Sequence, residues 1–246
     1  MTGIIIQARK GATRLPNKMV LPFYKGKGVL ELLIEKLINE FPTDKIVLAT
    51  TINPLDDELE AIASFCKIKC YRGSENNVLN RFIEAAEENN FDTIIRVCAD
   101  NPFLDILHIK RLIKEIETKK YDYVSFKTSN GLPTIKSHLG IFTEAVSLKA
   151  LKKVRNLTDL TLYVEHVTNY IYENKDLFTL KFLELPTYME NTDSIRLTLD
   201  TEADFKLERE LFRNACHLST EELIISLKNN TELLVKMEHQ INKNVK

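Results

Sequence analysis

The chain has 246 residues, 44% of them hydrophobic, with 34 Lys and Arg against 35 Asp and Glu. That length and apolar content can bury one substantial core, and the near balance of charge excludes the extended cationic face that general nucleic-acid binding needs. No run reaches the roughly 18 apolar residues that span a bilayer, and the N-terminus lacks the charged-then-apolar pattern of a signal peptide, so a cytoplasmic protein without membrane partners is expected. Cys66, Cys70, Cys98 and Cys216 match no zinc spacing, and buried thiols are expected.

In chain order, three isoleucines at 4–6 predict a strand that runs into a basic loop. Between Gln7 and Leu30 stand Arg9, Lys10, Arg14, Lys18, Lys25 and Lys27, with no Asp or Glu. Apolar residues at i, i+3, i+4 and i+7 predict a helix over 29–38. A strand over 45–51, a helix over 55–65, a weaker strand over 67–71 and a helix over 78–88 follow. The next strand, 93–98, stops before Ala99-Asp100-Asn101-Pro102, where proline forbids further ladder pairing on its nitrogen. A helix over 105–119 and a strand over 121–126 complete a regular alternation, which predicts an α/β fold: a mostly parallel sheet with helices on both faces. Its ligand site belongs beyond the carboxyl ends of the strands.

The second half is less regular. A turn-rich break is expected at 129–133, an extended segment at 135–142 carrying His138, and helices over 144–154 and 160–173, the latter holding Glu165 and His166. A weak strand over 178–185 and a clean alternation over 195–199 precede Asp200. The chain is then helical from residue 205, with Ser219-Thr220-Glu221-Glu222 a capping box and residues 242–246 frayed. His108, His217 and His239 read as surface residues.

Three features stand at strand ends: the basic loop, Asp100 and Asp200. Two carboxylates opposite a cationic loop suit magnesium-assisted nucleotidyl transfer, because magnesium prefers oxygen ligands and is held by one or two carboxylates plus substrate phosphates. Arg9, Arg14 and Lys18 would balance the remaining triphosphate charge and stabilise the leaving pyrophosphate. The plain alternatives are a solvated loop, a helix cap at Asp200 and a surface acid at Asp100. No Gly-Lys-Ser/Thr follows Gly11, and Gly26-Lys27-Gly28 lacks a third glycine, so neither a P-loop nor a dinucleotide fingerprint is present.

The run Gln7-Ala8-Arg9-x-Gly11-x-Thr13-Arg14-Leu15-Pro16-x-Lys18 resembles the signature of the sugar cytidylyltransferases, which make CMP-activated 3-deoxy-octulosonate and CMP-acylneuraminate. The agreement continues in Tyr71-Arg72-Gly73-Ser74-Glu75, Arg96-Val97-Cys98-Ala99-Asp100-Asn101-Pro102, His138-Leu139-Gly140-Ile141-Phe142, Glu165-His166-Val167-Thr168 and Leu197-Thr198-Leu199-Asp200-Thr201. The set is most similar to the spore coat polysaccharide biosynthesis protein F branch.

The resemblance implies a GT-A-like Rossmann nucleotidyltransferase fold, with CTP as donor and Mg2+ as cofactor. The small acceptor would be anionic, either a sugar acid or a phosphorylated sugar or polyol, and the assembly a homodimer. It implies nucleotide binding by Gln7, Ala8, Arg9, Gly11, Arg14, Lys18, Arg72 and Ala99. Arg9, Arg14 and Lys18 would act on the triphosphate, Asp100 and Asp200 on the metal, and Arg96, His138, Glu165 and His166 on the acceptor. Residues 76–81 fall near the base and ribose. It implies a nucleotidyltransferase domain over 1–211, with an acceptor and dimerisation part at 126–190, and a helical extension over 212–246. The chain departs from the octulosonate enzymes where they carry Gln-Gly-Asp: here Cys98-Ala99-Asp100 stands, with Arg96 upstream, which leaves the cytosine contact and acceptor class open. Other readings are a GT-A-type glycosyltransferase using a nucleotide sugar, or a nucleotide-binding protein without catalysis.

Overall fold

A computed structural model of the chain describes residues 1–128 and 130–244. Ser129, the first residue of the expected break, and Val245 and Lys246 of the expected frayed end lie outside the described residues.

The isoleucine run becomes β1, Thr2–Gln7, buried along nearly its whole length between two parallel neighbours, which is why it carries no polar face. Those neighbours are β2, Ile46–Thr51, and β4, Thr93–Cys98. β3, Lys69–Gly73, extends the sheet beyond β2. α1, Val29–Ile38, α2, Asp57–Phe65, α3, Val78–Glu88, and α4, Ile106–Ile116, alternate with these strands and bury apolar stripes on the two sheet faces. Asn77 caps α3 by accepting from Asn80 N, and Asp105 caps α4 by accepting from Leu107 N. β3 starts two residues later than expected. Lys67 turns left-handed (φ 58°) while Ile68 N donates to Ala63 O and Lys67 N to Ser64 O, a closure of α2 that consumes both residues.

The sheet continues with β5, Tyr123–Lys127, β6, Glu144–Ser147, and β7, Leu180–Glu184, in the order β3-β2-β1-β4-β6-β5-β7. β6 runs antiparallel between β4 and β5, and the remaining pairs are parallel. Here the expected helix over 144–154 is wrong in its first turn. Residues 144–147 pair with β4, placing Glu144 opposite Arg96, and the helix α5, Leu148–Leu157, begins only where Ser147 caps it. The expected helix over 160–173 is two pieces, α6, Thr161–Glu165, and α7, Asn169–Glu173. It breaks because Thr168 turns inward and donates to the buried Glu144 (2.7 Å), leaving His166 at the kink.

The alternating segment 195–199 forms no strand. Its amides bond outside the ladder, Leu197 N to His138 O (2.8 Å) and Leu199 N to Asp100 O (3.0 Å). Segment 135–142 begins as a 3₁₀ turn, Thr134–Lys136, and then packs on 195–199. Gly140 permits the approach: it has φ 60°, and a Cβ there would stand 1.9 Å from Leu197 O. α8, Glu202–Ala215, starts at a Thr201/Asp204 capping box, so the cap is Thr201 rather than Asp200. α9, Thr220–Lys228, has the expected Ser219/Glu222 box, and with α10, Thr231–Lys243, buries Leu223, Ile224, Leu227 and Met237 in the main core. No helix among the described residues is long and apolar enough to cross a membrane. Two minor expectations fail: His108 is buried against Phe126 and Phe142, and Cys216 is exposed.

Candidate active site

The basic loop leaves the end of β1 and is tied down at its root by an acid that sequence reasoning missed. Asp56 is buried, and it accepts from Lys10 N (2.8 Å) as well as from the Thr51 hydroxyl. The loop then passes beneath Asp100, just beyond β4, and Asp200, just before α8. Lys18 Nζ donates to Asp100 Oδ2 (2.9 Å) and to Leu199 O (2.6 Å), and lies 3.9 Å from Asp200 Oδ1. Arg14 Nη2 donates to Asp200 Oδ1 (3.2 Å). Lys18 is 7% exposed. Burial works against its charge, but Asp100 and Asp200 outweigh that, so the ammonium titrates above the ordinary lysine value.

Asp200 is held from behind. Arg196, itself buried, donates Nη2 to Asp200 Oδ2 (3.0 Å) and reaches both oxygens of Asp204 (2.8 Å each). Its Nη1 meets His138 Nδ1. One oxygen of Asp200 therefore faces Arg196 and the other faces the basic loop. The signal for this was in the sequence: in an extended segment residues 196, 198 and 200 share a face.

Two cavities meet here. One of about 290 Å³ is lined by Gln7, Ala8, Arg9, Arg14, Lys18 and Asp200 among others. The second, about 520 Å³, is lined by Arg96, Asn101, Lys136, Ser137, Asn169 and Tyr172 among others. Arg14, Cys98, Asp100 and His166 border both. The structure thus gathers Gln7, Ala8, Arg9, Arg14, Lys18, Asp100, Asp200 and His166 around one chamber and sets Arg96 in the other. Glu165 joins from α6, its Oε1 3.6 Å from Arg9 Nη2.

The remaining expected residues stand apart from the chambers. His138 lies behind Asp200 against Arg196. Arg72 serves as a clamp, donating to Thr51 O (2.9 Å) and Asn53 O (2.8 Å) and pairing with Asp57 and Glu60. Ala99 is buried, its amide bonded to Gln7 O (3.1 Å), and Gly11 sits on the exposed outer loop beside Glu75. Within 76–81, Arg81 is fully buried and donates to Ser74 O (2.7 Å). Burial, helped by the nearby charge of Arg9, pushes its guanidinium down to about 10.

Arg96 is no bare cation. Its Nη1 donates to Glu144 (2.6 Å) and its Nη2 to Gln7 Oε1 (3.1 Å), while Tyr123 and Thr168 also donate to Glu144. The floor of the larger chamber is therefore a neutralised, hydrogen-bonded network. Lys136 is a further, exposed cation of that chamber, 3.2 Å from Glu173 and over the Tyr172 ring. Among the described residues no three His, Cys, Asp or Glu converge as a metal cluster. Asp100 and Asp200 do converge on one buried positive charge, and two hard carboxylates fit a magnesium ion that arrives with phosphates rather than one caged by protein.

A cytidylyltransferase family profile matches residues 3–234. The spore coat polysaccharide biosynthesis protein SpsF of Bacillus subtilis is 32% identical over 242 residues, covering 95% of this chain and 97% of that protein. The protein MJ1063 of Methanocaldococcus jannaschii is 38% identical over 207 residues, 84% of this chain and 81% of its own. A cytidylyltransferase structure from Leptospira borgpetersenii serovar Hardjo-bovis superposes with a TM-score of 0.82 at 28% identity, covering 95% of this chain and 96% of that one. A Rossmann-like, mostly parallel sheet, a basic loop facing two acids at its edge and a family match over most of the chain agree, and the chain belongs to the cytidylyltransferase family of CTP-dependent nucleotidyltransferases.

Proposed function

We propose that this enzyme transfers CMP from CTP to a sugar acid or a phosphorylated sugar or polyol, for the biosynthesis of a cell-surface polysaccharide or glycoconjugate. The observation that carries the reading is the meeting of two chambers at Asp100, one rich in cations and the other lined by hydroxyls, amides and aromatic rings. An acceptor oxygen in the larger chamber attacks the α-phosphorus of CTP. A new P–O bond forms, the bond from the α-phosphorus to the bridging oxygen breaks, and pyrophosphate leaves with the electron pair.

In this reading Arg9, Arg14 and Lys18 bind the triphosphate and stabilise the charge that develops on pyrophosphate, so positioning and electrostatics do most of the work. Asp100 and Asp200 would hold Mg2+, which when bound neutralises phosphate charge and draws donor and acceptor together. Cys98 is a poor partner for that ion, since magnesium has little use for thiolate. His166, at the junction of the chambers, would take the proton of a hydroxyl acceptor, whereas a phosphate acceptor needs no base. The Bacillus subtilis relative, a spore coat polysaccharide biosynthesis protein, supports the pathway in this reading. A homodimer belongs to the same reading, with Leu162 exposed at the acceptor chamber and Leu157 and Leu160 exposed just before it in the chain.

The test is pyrophosphate release with CTP, Mg2+ and a panel of sugar acids, phosphorylated sugars and phosphorylated polyols. Turnover with one class assigns the acceptor. A well-folded protein that binds CTP yet releases no pyrophosphate with any member would refute the assignment of acceptor chemistry.

A further inference from the structure

Lys18 reaches both acids, and it does more than face the triphosphate chamber. Its ammonium sits among Asp100 Oδ2 (2.9 Å), Leu199 O (2.6 Å) and Asp200 Oδ1 (3.9 Å). Two carboxylates and a carbonyl around one buried charge form the donor set of a hard-cation site. The chain fills that site with its own lysine.

We propose that Lys18 is an internal counter-ion that blocks the divalent-cation position until nucleotide arrives. The proposal rests on the triphosphate lying in the basic-loop chamber. Two like charges facing one another need a cation between them, and without one a carboxylate would be held protonated or pushed aside. Lysine suits a removable plug: its charge is compact, its stem has four flexible carbons, and it binds phosphate as a point charge. Lys18 also lines the 290 Å³ chamber together with Arg9 and Arg14. A triphosphate there competes with the acids for the ammonium. Once Lys18 swings to phosphate, the two acids lose a counter-charge and gain affinity for a divalent ion. Metal and nucleotide then bind with positive coupling, each opening the place of the other, and by linkage the coupling is reciprocal. Arg196 stays on the Oδ2 side of Asp200 throughout and keeps it in place.

The experiment measures Mn2+ binding by electron paramagnetic resonance in the absence of nucleotide, for the wild type, Lys18→Met and Lys18→Gln, with thermal unfolding as the check on folding. Loss of the plug is expected to tighten nucleotide-free Mn2+ binding at least tenfold, and adding Asp100→Asn to Lys18→Met is expected to erase that gain. Nucleotide-free affinity unchanged in both variants, or a gain that survives in the double variant, overturns the proposal. A second arm needs no variant. Saturating Mn2+ alone should raise the acylation rate of Lys18 in the wild type, read by peptide mass spectrometry, because the displaced amine becomes accessible; an unchanged rate contradicts the plug. Neither arm contains CTP, so a failure of the cytidylyl-transfer reading would show in the pyrophosphate assay while leaving these measurements intact.

Discussion

The two halves of the sheet are built by different rules. From β1 to β4 the chain alternates strand and helix, all pairs are parallel, and the functional loop hangs from strand ends. From β5 to β7 an antiparallel strand is inserted, two of the helices are only five residues long, and what this half adds to the lining of the larger chamber comes from turns, from those two short helices and from the kink at His166. The first half presents concentrated charge. The second supplies Glu144, which neutralises Arg96 of β4, and a wall of hydroxyls, amides and rings over that pair. A polyphosphate is recognised by charge that a regular scaffold can supply, whereas an acceptor is recognised by shape, which irregular segments supply.

The largest effect that tests this division is expected from Asp100→Ala. It should lower metal-dependent pyrophosphate release by on the order of 10²–10³ or more in a chain that is still folded by circular dichroism. Activity within a few-fold of the wild type would take the metal role from Asp100. Next comes Gly140→Ala, which forces a left-handed alanine into the carbonyl of Leu197. It should cost at least about 2 kcal/mol in urea unfolding and weaken acceptor binding more than CTP binding. An equal loss for both substrates would deny that the halves are separable.

Glu208 gives a smaller effect with a definite sign. It is fully buried in α8, and neither carboxylate oxygen has a hydrogen-bond partner among the described residues. Burial first, then the neighbouring Asp204, Asp100 and Asp200 charges, push its pKa well above the carboxylate range, against the opposing pull of Arg196. The folded chain therefore holds a proton that the unfolded chain releases above about pH 4.3. Stability linked to this group falls as pH rises through that value. Glu208→Gln removes the term, so it should stabilise the protein at pH 7 relative to pH 4 by chemical denaturation; an identical difference at both pH values would refute the burial argument. The smallest effect is expected from Lys136→Ala, whose cation is exposed and shared with Glu173. It should raise the KM of an anionic acceptor by about twofold to fivefold without changing that of CTP. A larger change in the CTP value would move Lys136 into the donor half.

The same contrast governs what could be read from the sequence. Residues 78–88 and 93–98 coincide with α3 and β4 because each carries an undiluted periodicity and a clear stop. The basic loop and Asp100 were legible because local charge and a proline mark them. Residues 144–154 were misread because Ala145, Val146, Leu148 and Leu151 fit a helical stripe, and only the pairing of Glu144 with Arg96, 48 residues away, decides for a strand. Residues 195–199 alternate as a strand does, yet their amides answer to residues 138 and 100. Alternation reports two faces, and not whether a ladder partner exists. Asp56 and Glu144 stayed invisible for a related reason: their work is done on groups distant in sequence.

The bond from Leu199 N to Asp100 O joins the main chain beside one acid to the main chain of the other. The gauge between the two carboxylates is thereby written in peptide groups rather than in side chains. Most substitutions around the site leave a peptide amide where it was, so the spacing is buffered against ordinary point mutation. Retuning it takes a change in the backbone itself, such as a proline at position 199 or a residue inserted between 197 and 200. Side chains lining the larger chamber can therefore vary while the spacing of the two acids stays set.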